Sequence, residues 1–374
     1  MRPVPHGPGR RTGGYDGEMD GIELGLDTFG DVTNDVSGEP HSHAQVLRNV
    51  VAQAVLADQV GLAFFGVGEH HRRDFAISAP EVLLATIAGQ TSRIHLGSSV
   101  TVISTDDPVR VFERFSTLNA LSSGRAEVIV GRGSFTESFP LFGFDLQQYD
   151  VLSQERLDLF AALVGRQPVT WSGRTRSALT NQIVYPPLEQ GQKLVVWVGV
   201  GGTPESVARA AHYNFPLMLA IIGGSARRFV PYVDLFHRAL AQFGHERLPV
   251  GAHSPGHVAP TDEQAREELW PHYYALMSRI GAERGWQPVT RAQFDREAGP
   301  DGALCVGSPE TVARKIAETM QTLGLTRFDM KYSNGPLPHT AQMSSIELYG
   351  TKVVPQVRAL LDEAGYQPGV VHAD

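Results

Sequence analysis

Short apolar runs rich in β-branched residues alternate with longer amphipathic stretches along most of the chain. This alternation is typical of repeated β-loop-α units on a parallel sheet, and it gives about eight such units here. The predicted strands cover residues 21–29, 63–68, 94–103, 126–130, 194–200, 215–222, 248–253 and 327–332. Apolar residues at helical spacing predict helices at 43–60, 80–91, 109–121, 152–163, 226–243, 263–281, 311–323 and 344–364, with a further helix after residue 203.

Three of these helices begin with a capping residue followed by proline. The segments are Asp107-Pro108, Thr203-Pro204-Glu205 and Ser308-Pro309-Glu310. A short polar side chain caps free N–H groups, proline suits the first helical position, and the helix dipole favours an acidic residue there. Each segment therefore predicts a helix that starts directly after a turn.

Eight units without a break in composition favour a (β/α)8 TIM barrel with insertions. A doubly wound open sheet is the competing architecture, because the same alternation also serves that fold. Residues 171–187 look like a hairpin or an extended excursion. Residues 1–20 are rich in Gly, Pro and Arg with little that is apolar, so they are expected to be a disordered tail. Residues 21–374 are expected to form a single barrel domain.

The composition describes a globular protein of 374 residues with a formal net charge of −8. An acidic chain of this kind argues against neutralisation of nucleic-acid phosphates and favours small-molecule partners. No run of about 18 apolar residues occurs, so neither a membrane span nor an export signal is expected. Cys305 is the lone cysteine, which rules out an intramolecular disulfide and fits a reducing compartment. A cytoplasmic location is the expectation.

Polar residues directly after strand ends are the first candidates for chemistry, because those loops form the catalytic face of an α/β barrel. Glu69-His70-His71 follows the second predicted strand. A histidine there can take or give a proton near neutral pH. The alternative is a hydrogen-bonded histidine pair that only shapes the strand end. Shared metal ligation is opposed by the geometry of a strand, where adjacent side chains point to opposite faces.

Three further segments are candidates for ligand binding. Gly131-Arg132-Gly133-Ser134 combines close backbone approach with a guanidinium that suits phosphate, unless it is only a tight turn with a surface arginine. Residues 199–206 place free N–H groups at a helix start, which forms an anion site, although many such turns are Gly-rich simply to be tight. Residues 98–105 are small and β-branched, so either a flat ring lies beside them or they are ordinary barrel core. His253 and Asn334 are possible substrate contacts.

The order and spacing of these motifs resemble the bacterial luciferase-like monooxygenase family over about residues 21–362. The resemblance rests on Glu69-His70-His71 with Phe75, on Leu96-Gly97 through Asp107-Pro108-Val109-Arg110, and on Gly131-Arg132-Gly133 through Phe142-Gly143. It implies that His70 is the counterpart of the catalytic histidine beside the flavin. It also implies a non-prolyl cis peptide at Ser99-Val100 under the isoalloxazine ring. Gly131 stands where luciferase has a reactive cysteine, which argues against light emission and suggests more room over the flavin.

The resemblance further implies a set of cofactor contacts. They are Ser99, Val100, Arg132, Gly133, Ser134, Gly201, Gly202, Thr203 and Ser206, with the phosphate of FMN held by Arg132, Ser134 and the helix start after strand five. No metal is expected.

The expected function is therefore that of a monooxygenase that uses reduced FMN and O2 to oxygenate a small organic substrate, with His70 as acid or base. A separate flavin reductase and a homodimer are expected as well. The alternatives are a deazaflavin-dependent oxidoreductase that transfers hydride, and a flavin-binding protein without turnover.

Overall fold

The computed structural model describes residues 21–35, 37–133, 135–165 and 167–369. The expected tail at residues 1–20 and the expected phosphate contact of Ser134 lie outside these residues. The strands are β1 (Glu23–Thr28), β2 (Phe64–Val67), β3 (His95–Val102), β4 (Ala126–Gly131), β5 (Val169–Trp171), β6 (Leu179–Gln182), β7 (Val195–Val200), β8 (Leu217–Ala220), β9 (Val250–Val258), β10 (Cys305–Gly307) and β11 (Arg327–Lys331).

Eight of these strands close into a parallel barrel. Their order is β1-β2-β3-β4-β7-β8-β9-β11, and β11 pairs again with β1. Closure through the β8–β9 pairing excludes the open doubly wound sheet and confirms the (β/α)8 barrel. The predicted excursion at residues 171–187 contributes to a separate antiparallel pair, β5 with β6.

Helices pack around the barrel between successive strands. They are α1 (His43–Gln59), α2 (Pro80–Ala88), α3 (Pro108–Leu121), α4 (Ser138–Leu141), α5 (Tyr149–Gly165), α6 (Pro204–His212), α7 (Val230–Phe243), α8 (Asp262–Arg284), α9 (Arg291–Glu297), α10 (Pro309–Leu323), α11 (His339–Leu348) and α12 (Val354–Glu363). The single helix predicted at 344–364 is two helices, with the π-helical segment Tyr349–Val353 between them.

The predicted helix starts are found where the capping residues stand. Asp107 accepts a hydrogen bond from the N–H of Val109 at 2.9 Å, and Ser308 accepts one from Thr311 at 3.4 Å. Thr203 occupies the N-cap position of α6 without capping a backbone N–H through its side chain. The structure therefore confirms all three starts and changes the role of one side chain.

Two stretches in the second half of the chain differ from the prediction. Strand β9 continues to Val258, five residues past the predicted end, through a Ser-Pro-Gly-His segment whose composition is typical of a loop. Cys305 begins β10, a strand that was not predicted, which pairs with the end of β9 and precedes α10. Burial of both segments under α8 and α11 stabilises backbone that local sequence does not mark as strand.

Large side chains fill the lower and middle part of the barrel interior. Phe64, Ile129, Trp197 and Met218 form an apolar cluster there, and Arg327 lies over the Phe64 ring at 3.4 Å. Nearer the carboxyl ends of β2, β3, β4 and β7, the inner positions are small. They are Gly66, Ser99, Gly131 and Gly199. The barrel interior is therefore filled by large side chains toward the amino ends of the strands. At the carboxyl ends it is lined by small residues on the side formed by β2, β3, β4 and β7.

Candidate active site

The predicted site residues lie along one rim of the barrel, because they all follow the carboxyl ends of parallel strands. His70 follows β2, Arg132 follows β4, and Thr203 follows β7 at the start of α6. This is the rim on which barrels of this type carry their sites. The structure thus brings together the residues that the sequence singled out.

His70 lies in a half-buried position among phenyl rings. Its ring centroid is 4.6 Å from that of Phe29, 4.5 Å from that of Phe75 and 5.6 Å from that of Phe135. Burial, with the positive charge of Lys331 as a second cause, lowers the pKa of His70 to about 3. The imidazole is therefore neutral at physiological pH, and its Nδ1 has no hydrogen-bond partner among the described residues.

The two carboxylate oxygens of Glu69 bond to residues other than His70. One carboxylate oxygen of Glu69 accepts a hydrogen bond from Nε2 of His71 at 2.8 Å, and the other accepts the N–H of Val102 at 2.9 Å. The Glu69 side chain therefore ties the end of β2 to the end of β3. His71 is paired in this way, which leaves His70 as the histidine of the motif that faces the apolar pocket.

Arg132 is held beside the end of β4 by the first turn of α5. Its guanidinium lies 4.2 Å from the centre of the Tyr149 ring and contacts Asp150 at 2.7 Å. The hydroxyl of Tyr149 donates to the Arg132 carbonyl at 2.9 Å. The Nε of Arg132 is buried without a partner among the described residues, so one N–H remains for a ligand.

A small cavity joins Arg132 to the start of α6. Its lining includes Arg132, Gly199, Ser206 and Arg209. Most of the lining is apolar, and its polar side chains are Arg132, Ser153, Ser206 and Arg209. Arginines, hydroxyls and a helix start are groups of the kind that bind a phosphate. Arg209 carries no signal in the sequence that marks it as a site residue, because a basic residue in the last turns of a helix usually lies on the surface and stabilises the helix dipole.

The turn before α6 has the open backbone that the sequence predicted. Gly202 has a φ of +114°, a conformation that side chains rarely adopt. The hydroxyl of Thr203 donates to the hydroxyl of Ser206 at 2.7 Å. Ser206 is buried in the cavity with Arg132, whereas Gly201 and Thr203 are exposed at its edge. Gly133, with a φ of +66°, turns the chain directly after Arg132.

The peptide bond between Ser99 and Val100 is cis, as the family resemblance implied. The Val100 side chain packs in front of β4 and β7. A Cβ placed on Gly131 would lie 2.7 Å from Val100 Cγ2, and one on Gly199 would lie 3.0 Å from Cγ1. The idea that Gly131 leaves free room is therefore wrong: the space beside Gly131 is already taken up by Val100.

The barrel interior opens at this rim, and this opening is called the mouth below. On the side of the mouth away from Arg132, strands β1, β9 and β11 carry charged side chains. Asp27 and Nδ1 of His253 are 2.6 Å apart, and both side chains are buried. The ammonium of Lys331 donates to Asp31 at 3.3 Å and to the Ser333 carbonyl, and it lies 4.6 Å from the centre of the Phe29 ring. Asp27 and Lys331 could have been identified as site candidates from the sequence, because each is a charged residue within a predicted barrel strand.

Asn334 is not arranged to contact a substrate through its amide nitrogen. That nitrogen donates to the carbonyls of Gly256 and Lys331, at 3.0 and 3.2 Å. Asn334 therefore fastens the chain after β11 to β9. Of the two substrate contacts suggested by the sequence, the geometry supports only His253.

An ion-pair network holds the loops over the mouth. Arg72 contacts the carboxylates of Asp74, Glu137 and Glu283, which come from three different segments. Its guanidinium also lies 4.5 Å from the centre of the Phe135 ring, which in turn covers His70. The network thus positions an aromatic cover over the apolar pocket.

The residues at this rim fit a flavin mononucleotide. Arg132, whose buried Nε has no partner among the described residues, lines a small cavity together with Ser206 and Arg209. The small inner positions of β2, β3 and β4 lie at the same end of the barrel as the phenyl rings around His70. Among the described residues, no helix combines the length and the apolar character needed to cross a bilayer.

The fold and this rim define a (β/α)8-barrel protein with its candidate site at the carboxyl ends of the strands. The chain belongs to the luciferase-like monooxygenase family, whose sequence profile matches residues 29–327. The uncharacterized protein y4vJ of Sinorhizobium fredii is 24% identical over 353 residues, covering 87% of this chain and 95% of that protein. The alkanal monooxygenase alpha chain of Photobacterium leiognathi is 22% identical over 351 residues, covering 85% and 95%.

Solved structures share the fold at low sequence identity. The monooxygenase RslO1 from Streptomyces bottropensis has a TM-score of 0.77 at 19% identity, covering 89% of this chain and 99% of that one. The oxygenating constituent of 3,6-diketocamphane monooxygenase from Pseudomonas putida, in complex with FMN, has a TM-score of 0.71 at 18% identity, covering 90% and 99%. An F420-dependent secondary alcohol dehydrogenase has a TM-score of 0.70 at 17% identity, with the same coverage.

Proposed function

We propose that the protein is a monooxygenase that uses reduced FMN and O2 to oxygenate a small organic substrate. Membership of the luciferase-like monooxygenase family supports the oxidoreductase class. One of the solved structures that share the fold is a monooxygenase in complex with FMN. The cavity at the barrel rim supports a cofactor that carries a phosphate, and the likeness to the FMN complex is the ground for choosing FMN.

The cavity shared by Arg132, Ser206 and Arg209 is the observation that carries the proposal. In this arrangement the two guanidinium groups neutralise a phosphate monoester, and the start of α6 adds its dipole. The flavin ring would then extend from β7 toward β3 and β2, along the small inner positions of the barrel. Ser99 and Val100 would lie beside it.

Bound reduced flavin supplies the electrons with which O2 is activated. The part of this chain is to hold the ring, to exclude water and to offer a hydrogen-bonding group. Phe29, Phe75 and Phe135 surround His70 and keep water away from it. A neutral His70 offers an N–H and an acceptor nitrogen without a charge.

Partners follow from this chemistry. A separate reductase would supply the reduced flavin, as the family resemblance implies. The substrate would be a small molecule that enters beside Phe135. We also propose that the enzyme works as a homodimer, as the family resemblance implies.

A deazaflavin-dependent dehydrogenase is the second candidate. The observation that favours it is the likeness to the F420-dependent alcohol dehydrogenase, whose TM-score nearly equals that of the FMN complex. Deazaflavin also carries a phosphate, so the cavity at Arg132 fits both cofactors. Their ring chemistry differs, since reduced deazaflavin transfers hydride without activating O2.

Anaerobic titration of the purified protein with reduced FMN and with reduced F420 tests the choice. Tighter binding of reduced FMN, and O2 consumption that rises when a substrate panel is added, is the expected outcome. Preference for F420 with hydride transfer to a ketone would establish the dehydrogenase instead. Flavin binding with no oxygenated product from any compound would identify a binding protein.

A further inference from the structure

Asp27 and His253 form a carboxylate–imidazole pair across the barrel interior. They stand on β1 and β9, with β11 between those strands. Asp27 Oδ2 lies 2.6 Å from His253 Nδ1, a short distance for a hydrogen bond between these groups. Both side chains are buried. In the neutral form of the ring, this contact places the proton on Nδ1 and leaves Nε2 as the acceptor nitrogen.

The pair belongs to the same upper layer of the barrel as His70. The His253 ring is stacked with the Phe29 ring at 6.1 Å and an angle of 26°, and the His70 ring is tilted against Phe29 at 4.6 Å. Phe29 thus contacts both histidines. His253 accordingly lines the mouth on the side away from Arg132, where the proposed flavin phosphate would lie.

A second observation points to a ligand at this wall. Asp27 Oδ1 is buried and has no hydrogen-bond partner among the described residues. A buried carboxylate oxygen without a partner is costly, and such atoms normally find a donor in the protein, in water or in a ligand. The charged groups that face the pair are Lys331 and Asp329, both on β11.

The two histidines of the mouth differ in their partners. His70 has no carboxylate beside it, because Glu69 is taken up by His71 and the backbone of β3. His253 has one. When an imidazole takes up a proton, an adjacent carboxylate stabilises the imidazolium that forms. The geometry therefore equips His253 to accept a proton, whereas His70 is equipped for neutral hydrogen bonding.

We propose that His253 is the proton acceptor for a protic substrate, and that Asp27 is its positioning residue. Nε2 of His253 contacts a thiol or an ammonium group of the substrate. The proton moves from that heteroatom to Nε2, and an electron pair stays on the heteroatom, which is then the atom exposed to oxidation. The proton later returns to the product or to water. This inference rests on the proposed function, since it assigns the substrate class of the same site.

Histidine-labelled protein loaded with FMN tests the pair by nitrogen NMR, without any turnover. His253→Gln identifies the His253 signal. We expect the proton of the wild-type His253 ring on Nδ1, and Asp27→Asn to shift the tautomer toward Nε2–H. His237→Gln, on the outer helix α7, is the matched control and leaves the His253 signal unchanged. An Nε2–H tautomer in the wild type would overturn the role of Asp27.

Kinetics with a flavin reductase, FMN and a panel of thiols, alcohols, amines, ketones and alkanes tests the substrate class. His253→Gln is expected to lower kcat on thiols and amines by about 10²-fold and to remove one limb of the pH profile. Asp27→Asn should lower kcat less and shift that limb. An unchanged pH profile in His253→Gln, or oxygenation confined to alcohols, ketones and alkanes, would overturn the proposal. FMN titration judges the proposed function separately, because neither variant touches Arg132.

Discussion

Glu69 and His71 are joined by a hydrogen bond of 2.8 Å, and this pairing decides what His70 can do. Two residues apart on an extended chain, their side chains lie on the same side, whereas His70 points the other way. His70 is left among phenyl rings, and its Nδ1 has no hydrogen-bond partner in the part of the chain that the structure describes. The motif thus contains one histidine that fastens two strands and one that faces the pocket.

Removal of the His70 imidazole should impair turnover more than cofactor binding. His70→Ala is expected to leave the Kd for FMN nearly unchanged and to lower kcat by about 10²-fold, because the ring lies away from the phosphate cavity. Fluorescence titration and O2 consumption measure the two quantities. His245→Ala, outside the strand ends, is the control. Unchanged turnover in His70→Ala would show that the His70 ring takes no part in the reaction.

The protonation state of His70 is a second prediction. Since burial and then the charge of Lys331 lower its pKa to about 3, the ring should stay neutral between about pH 5 and 8. Lys331→Met should raise the pKa of His70 while leaving it below 6.5, because the larger cause, burial, remains. Histidine NMR during a pH titration checks both statements. A His70 signal that titrates near pH 6.5 in the wild type would contradict them.

The phosphate cavity makes a prediction that distinguishes two flavins. Arg132→Ala and Arg209→Ala are each expected to weaken FMN binding by about 10- to 100-fold, since each removes a charge-assisted contact. Binding of riboflavin, which has no phosphate, should change little. Arg110→Ala, on the exposed side of α3, is the matched control. Equal losses for FMN and riboflavin would mean that the arginines act on the fold and not on the phosphate.

Much of this architecture could be predicted because it depends on local patterns. The β-branched runs marked the eight barrel strands, and Thr203-Pro204-Glu205 marked the start of α6 from its turn chemistry alone. Strand β10 could not be predicted, because three residues carry no periodicity and its pairing with β9 is set by tertiary packing. The same holds for the last five residues of β9.

The candidate site was predictable on one side of the mouth only. His70 and Arg132 follow strand ends in recognisable motifs. Asp27 and His253 are 226 positions apart in the sequence. No local sequence pattern predicts which inward-facing polar side chains will contact each other in the closed barrel. Arg209 was missed for a similar reason, because only the closed barrel brings the second turn of α6 against Arg132.

The buried ion pair of Glu127 and Arg327 inside the barrel should make the stability of the protein depend on pH. Glu127 accepts hydrogen bonds from Arg327 at 2.6 Å and from His95 at 2.8 Å. Burial works to raise the pKa of Glu127, but Arg327 and His95 outweigh it and lower the pKa to about 2. The folded pKa lies below the ordinary 4.5, so this stabilisation is present above pH 4.5 and is lost as the pH falls toward 2.

Glu127→Gln should therefore flatten the loss of stability across that pH window. At neutral pH the same variant should be less stable by about 3 kcal/mol, because Arg327 loses a buried ionic partner. Urea unfolding at a series of pH values measures both effects. Glu318→Gln, on the exposed face of α10, should reproduce the wild-type curve. A variant as steep as the wild type between pH 4.5 and 2 would show that Glu127 is not the group responsible.

Gly131 and Val100 should behave as a coupled pair. A Cβ at residue 131 would lie 2.7 Å from Val100 Cγ2, and the β-branched side chain has few other rotamers to adopt. Gly131→Ala is therefore expected to destabilise the protein by about 1–3 kcal/mol, the usual cost of overpacking. The double variant with Val100→Ala lacks both Cγ contacts and keeps only the contact with Val100 Cβ at 3.0 Å, so part of that loss should be recovered. Gly223→Ala, where a Cβ meets nothing within 4 Å, is the control for the substitution itself. Urea unfolding of the wild type, Gly131→Ala, Val100→Ala and the double variant gives the coupling energy between the two residues. Strictly additive effects would show that they do not share this space.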